Sequence, residues 1–170
     1  PPPPPTPAAG PPAAAPGPRF VSGRLSTDGR YTGTALADSV TGTGADETFE
    51  GLAGGDTIGG GPGRDVIDGG EGADTLRGGN GADELRGGPG RDIIGGGAGA
   101  DVIHGGAGAD TIQGGAGRDT IKAGAGDDIV RTWADGTADV IDCGSGEDRA
   151  VIDSADTVTR CESVVVRDPA

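Results

Sequence analysis

Large aliphatic residues recur at one fixed interval through the middle of this chain. Ile58, Ile67, Leu76, Leu85, Ile94, Ile103, Ile112, Ile121 and Val130 stand nine residues apart without exception. Two residues ahead of each stands an acid: Asp56, Asp65, Asp74, Asp83, Asp92, Asp101, Asp110, Asp119 and Asp128. Most of the remaining positions are glycine, alanine or small polar residues. A strict period of nine is the mark of an internal repeat that stacks into a solenoid. Each unit is expected to fold as six residues of turn and three extended residues, of which only the middle one points inward.

The units open at Gly51, Gly60, Gly69, Gly78, Gly87, Gly96, Gly105, Gly114 and Ala123. Seven of them, Gly60 through Lys122, read G-G-x-G-x-D, then any residue, an aliphatic residue and any residue. Leu52 at the second position of the first unit and Ala123 at the first position of the last are the departures. Glycine at the second and fourth positions admits backbone conformations that a Cβ forbids. Pro62 and Pro89, each followed by glycine, have the order of a type II turn.

This array resembles the RTX family of calcium-binding nonapeptide repeats, over about half of the chain. The resemblance implies an all-β fold, a right-handed parallel β-roll in which two nonapeptides make one turn, so that equivalent residues recur every eighteen positions. It also implies calcium ions between stacked turns, held by carbonyls of the glycine loops and by the sixth-position aspartates. One edge would then carry Asp56, Asp74, Asp92, Asp110 and Asp128, and the other Asp65, Asp83, Asp101 and Asp119. Neighbouring acids on an edge would lie roughly 4.8 Å apart, the spacing of paired strands. Five acids on one edge and four on the other leave about seven gaps for ions, whose charge would nearly cancel the chain's net −14.

Physical chemistry agrees that an ion is needed. One aliphatic side chain in nine residues is little apolar burial against the ordering of so many glycines. Stacked carboxylates repel, and a hard dication with oxygen ligands removes that repulsion while tying the loops together. A flexible glycine-rich spacer is the plain alternative, but a spacer has no reason to hold an acid and a large aliphatic residue in phase. Glycine does not recur every third residue, which excludes collagen.

The flanks differ. Residues 1–18, PPPPPTPAAGPPAAAPGP, have no large side chain and read as a disordered or polyproline II linker. Residues 19–41 read as an N-terminal cap, with short strands at Phe20-Val21-Ser22 and Arg30-Tyr31-Thr32 about a turn at Thr27-Asp28-Gly29. The roll is expected over 42–148, with the regular repeats at 51–131. Gly42–Glu50 is a degenerate repeat with Phe49 inward and Glu47 at the acidic place, where Glu47 and Asp46 read as solvated charges, with closure of an end site by either as the alternative. After Arg131 the phase shifts: Thr132 and Trp133 read as a two-residue insertion, and Trp133 as packing on the flank. Asp139 and Asp148 are second-rank metal ligands, since their loops lack paired glycines. Residues 149–170 read as a small C-terminal cap. Cys143 and Cys161, the only two cysteines, bracket it. A disulfide between them implies an oxidising compartment, and two buried thiols are the plainer alternative. The tail resembles caps of secreted RTX-type proteins, which implies a bacterial, extracellular protein.

Composition excludes several functions. Aromatic residues make up 2% of the chain and methionine is absent, too few for an ordinary core. The net charge of −14 argues against nucleic-acid binding, and no apolar run reaches the eighteen residues of a membrane span. No GxSxG, HExxH or phosphate-loop motif occurs. His104 is the only histidine, at the outward ninth position that Arg77, Arg86, Lys122 and Arg131 share, where those cations would offset acidic charge. The threonine pattern at the seventh position is too irregular for an ice-binding face. The reading is a monomeric, non-enzymatic calcium-binding module, structural or adhesive. The alternative is an accessory domain at the C-terminus of a larger exported enzyme or toxin.

Overall fold

The computed structural model describes residues 28–132 and 136–168. The linker read at 1–18, the strand read at Phe20-Val21-Ser22 and the packing read for Trp133 lie outside the described residues. Among the described residues the fold has sixteen strands in two parallel sheets of eight. Successive strands alternate between the sheets, so each strand pairs with the next but one along the chain. The register is eighteen residues through the repeats: Ile58 lies beside Leu76, Leu76 beside Ile94, and Ile103 beside Ile121. This is the parallel β-solenoid expected from two nonapeptides per turn. No helix is found among the described residues, hence none that could cross a membrane.

The core is a double file, one row of side chains from each sheet. Every eighth-position residue from Ile58 to Val130 is 0–1% exposed, and each stacks on its equivalents above and below. Tyr31, Val40 and Phe49 extend the file at one end, Ile141, Ala150 and Ile152 at the other. Tyr31 and Phe49 have ring centroids 6.3 Å apart and close the N-terminal end with the largest apolar side chains of the core.

The strands are longer than the repeat pattern suggests. Those from Thr75–Asn80 to Thr120–Ala125 are six residues each, running from the seventh position of one unit to the third of the next. Two positions per strand are buried, the aliphatic residue and the glycine two places on. Alternate residues of a strand share a face, so the inward row continues through a glycine that hydropathy cannot register. Turns are confined to positions four to six. Pro62 and Pro89 end the strands Thr57–Pro62 and Glu84–Pro89. The glycines after them have φ of 133° and 158°, wider than the roughly 80° of a type II turn.

The flanks join the same architecture. Arg30–Thr32 is a strand as expected, and Ser39–Thr41 is another, both paired into the sheets. Gly33, Asp38 and Val40 stand eighteen residues before Gly51, Asp56 and Ile58, and Val40 pairs with Ile58. The segment is thus one more degenerate turn. At the other end, Arg149–Ile152, Thr157–Thr159 and Ser163–Val166 continue both parallel ladders. Thr132 is not inserted: it is 1% exposed, and its N–H donates to the Val151 carbonyl at 3.0 Å, the bond of a first-position residue. The extra residues belong to the turn that follows, where a loop can lengthen without breaking the ladder.

Cys143 and Cys161 form a disulfide with Cα atoms 5.1 Å apart. Cys143 occupies a first position facing the core, one unit beyond the slot of Thr132, and is fully buried. Closing a loop of 18 residues should contribute about 3 kcal/mol. The double variant Cys143→Ala/Cys161→Ala is expected to lose that amount in calcium-saturated denaturant titrations. An unchanged midpoint would mean that the bridge does not hold the last turn.

Candidate metal centre

The acids form two columns along the two edges of the roll. The backbone N–H of each donates to the Oδ1 of the acid one turn further on. In the first column Asp56, Asp74, Asp92 and Asp110 donate to Asp74, Asp92, Asp110 and Asp128 at 2.7–2.9 Å. In the second, Asp65, Asp83 and Asp101 donate to Asp83, Asp101 and Asp119 at 2.8–2.9 Å. Asp139 and Asp148 take the same bond, from Asp119 at 2.7 Å and from Asp128 at 2.8 Å, across twenty residues. Both are 1% exposed, placed as the regular acids are despite their irregular loops.

Each column runs further than the repeats reveal. Asp38 heads the first, its N–H donating to Asp56 at 2.8 Å, and Glu47 heads the second, donating to Asp65 at 2.9 Å. Glu47 is 3% exposed and is therefore not a solvated charge, whereas Asp46 is exposed and accepts from the Arg64 N–H. At the far end Asp156 accepts from Asp139 at 2.9 Å and Glu162 from Asp148 at 2.8 Å. The period of nine already places Glu47 at the acidic position, and one step further back it reaches Asp38, which it could have exposed too. Asp156 and Glu162 are out of phase, and no spacing rule finds them.

The second oxygen separates acids within the columns from those at the ends. In Asp56, Asp65, Asp74, Asp83, Asp92, Asp101, Asp110, Asp128 and Asp148 the buried Oδ2 has no hydrogen-bond partner. The acids at the ends are satisfied by the protein instead. Asp38 Oδ2 accepts from the Thr34 N–H at 2.6 Å, Glu47 Oε2 from the Thr43 N–H at 2.9 Å, and Asp156 Oδ2 from the Thr132 hydroxyl at 2.8 Å. Threonine thus replaces glycine at the second position of those two N-terminal frames. A buried anionic oxygen without a partner is costly, and here the cost recurs at nine acids.

Backbone surrounds these oxygens. A Cβ on Gly69 would lie 2.5 Å from Asp74 Oδ2 and 2.8 Å from the Gly87 carbonyl oxygen, so a carboxylate and a carbonyl converge on a face kept bare by glycine. The first-position glycines from Gly51 to Gly105 have the same neighbours in their own frames, save that Ala123 gives the carbonyl at Gly105. Among the described residues no three His, Cys, Asp or Glu side chains converge as a cage. A metal site here has to draw on carbonyl oxygens as well as carboxylates, the donor set of a hard cation such as calcium. The residues present fit that ion.

Electrostatics describe the same need. Burial pushes Asp56, Asp65, Asp92, Asp101 and Asp128 up to about 6, with the N–H bond opposing and neighbouring carboxylates adding. Asp74, Asp83, Asp110 and Asp148 are raised by burial too. A folded-state pKa above the unfolded value stabilises the fold at low pH, and that contribution disappears as pH rises through the folded value. In calcium-free buffer the chain should therefore gain β structure between pH 7 and about pH 4, followed by far-UV circular dichroism. Constant or declining structure over that range would contradict it.

His104 plays no part in these columns. It is half-buried on an outer face between Arg86 and Lys122, its register partners. Burial, then Lys122 and Arg86, pull its pKa down.

Among curated proteins, none matches this chain. The model of the RTX calcium-binding nonapeptide repeat matches it in four copies, at residues 41–76, 68–103, 77–112 and 104–136. These matches span more than half of the sequence and take in every acid with a partnerless oxygen named above except Asp148. The chain belongs to the family of RTX calcium-binding nonapeptide-repeat proteins.

Proposed function

We propose that this protein is a secreted, non-enzymatic module whose roll forms when calcium fills its two edges. The observation that carries the reading is the set of nine partnerless Oδ2 atoms named above, a feature missing from Asp38 and Glu47. Asp56, Asp74, Asp92, Asp110 and Asp128 on one edge, with Asp65, Asp83, Asp101 and Asp119 on the other, would hold the ions together with loop carbonyls. Asp139 and Asp148 would extend the edges. Calcium would supply positive charge to buried carboxylates and cross-link successive loops. About seven ions correspond to the gaps between the nine regular acids. The disulfide fits an oxidising compartment outside the cell, where calcium is plentiful. Calorimetric titration of the calcium-stripped chain tests the count: about seven ions supports the reading, while one or two would refute it. The role that suits such a solenoid is structural or adhesive, its outer faces being the surfaces left for a partner.

A further inference from the structure

The two outer faces of the roll differ in charge. One sheet, the one containing Ser39–Thr41, Thr57–Pro62, Thr75–Asn80, Ile93–Ala98, Thr111–Ala116, Ile129–Arg131, Arg149–Ile152 and Ser163–Val166, has no Asp or Glu in any strand. The opposite sheet carries Glu50, Asp68, Glu84 and Asp142. The ion pairs found among the described residues, Arg30–Glu50, Arg86–Glu84 and Arg160–Asp142, use acids of that opposite sheet. Arg77, Arg131 and Arg149 in the acid-free sheet, and Arg167 just past its last strand, pair with no carboxylate among the described residues. The expectation that Arg77 and Arg131 offset acidic charge on their face is corrected: that face has none. In a chain of net charge −14, this is a segregated surface.

Its shape is a furrow. Thr41, Gly59, Arg77, Gly95, Gln113, Arg131 and Val151 are register partners in one row across seven strands. Gly59 and Gly95 lower the floor between taller side chains, and shallow clefts of about 350 and 290 Å³ lie along the row. At its C-terminal end Arg131, Arg149 and Arg167 line a third cleft, about 210 Å³, over Ile129 and Val151.

From this arrangement we infer that the acid-free sheet is a docking surface for a linear acidic polysaccharide, with the Arg131–Arg149–Arg167 cleft as its anchor. Guanidinium forks bind carboxylate or sulfate groups in bidentate fashion. Thr57, Thr75, Thr111 and Gln113 supply neutral donors and acceptors for sugar hydroxyls. The cations are sparse along the furrow, Arg77 and Arg131 lying three strand spacings apart, roughly 14 Å. That suits a polymer with occasional charges better than a phosphate at every residue. No aromatic side chain stands in this sheet to stack a nucleobase, and stacking is how single-stranded nucleic acids are held.

The test uses the full calcium-loaded chain over immobilised chondroitin sulfate, with neutral dextran and poly-dT as parallel surfaces. Selective retention on chondroitin sulfate, weakening as salt rises, is the expected result. The triple variant R131Q/R149Q/R167Q should bind about tenfold more weakly or worse, while R30Q/R86Q/R160Q, with the same change in net charge, should bind as the parent does. Circular dichroism on the same samples confirms the roll, so that a negative result bears on this face and not on calcium-dependent folding. No retention by the folded chain, equal loss in both triple variants, or equal retention on poly-dT would each overturn the inference.

Discussion

Stripped of calcium at neutral pH, the protein is expected to lose its parallel sheets and give a coil-like far-UV spectrum, regaining β structure when calcium is restored. The expectation follows from what the columns contain. Nine carboxylates each keep one buried oxygen without a partner, and each carboxylate faces another one turn above and below. At neutral pH, groups with pKa values near 6 are ionised, so the bare fold carries both the desolvation and the repulsion. The apolar core is only two side chains wide, one from each sheet, and cannot offset them. Because a turn contacts only its neighbours, no other part of the molecule supports a turn whose edges have failed. Magnesium is smaller, demands near-ideal octahedral geometry and sheds water reluctantly, so at equal concentration it should leave the spectrum coil-like. A chain that keeps its β spectrum in chelator at pH 7 would sink the coupled-folding proposal. It would place the stability in the disulfide and the terminal turns.

Much of this fold is legible in the sequence because one rule is repeated. The aliphatic residue and the acid keep a fixed distance, and a period of nine doubled to eighteen gives the ladder register directly. Legibility ends where the rule depends on something glycine lacks. The inward first position cannot be seen in hydropathy, so strands of six residues looked like strands of three. The ends are obscured for another reason. At Asp38 and Glu47 the acids remain in phase, but threonine replaces glycine, and the turn satisfies its own carboxylate. Asp156 and Glu162 reach their columns from loops of altered length, where only the three-dimensional path brings the side chain to the edge. Thr132 shows the same limit: counting residues finds that two are extra, and only the hydrogen bond to Val151 says that Thr132 is not one of them.

Two glycines four residues apart should respond in opposite ways to the same mutation. Gly99, at a fourth position, has φ of +144°, and a Cβ there would overlap the Gly81 carbonyl oxygen of the turn below. Gly95, at an outward ninth position, has ordinary backbone and no atom within 4 Å of its would-be Cβ. For Gly99→Ala, positive φ alone costs about 1–3 kcal/mol. Relieving the overlap adds to this by pushing apart two loops proposed to share an ion, so the loss should exceed about 3 kcal/mol. Calcium affinity should fall with it, since the carbonyl displaced belongs to the glycine loops. Gly95→Ala removes freedom from the unfolded chain without strain in the folded one, which predicts no loss and a gain of up to about 1 kcal/mol. Denaturant titrations of both variants in saturating calcium decide the matter. Equal destabilisation would show that alanine disrupts the array wherever it is placed. No effect from Gly99→Ala would mean that the loops are not stacked as closely as the glycines require.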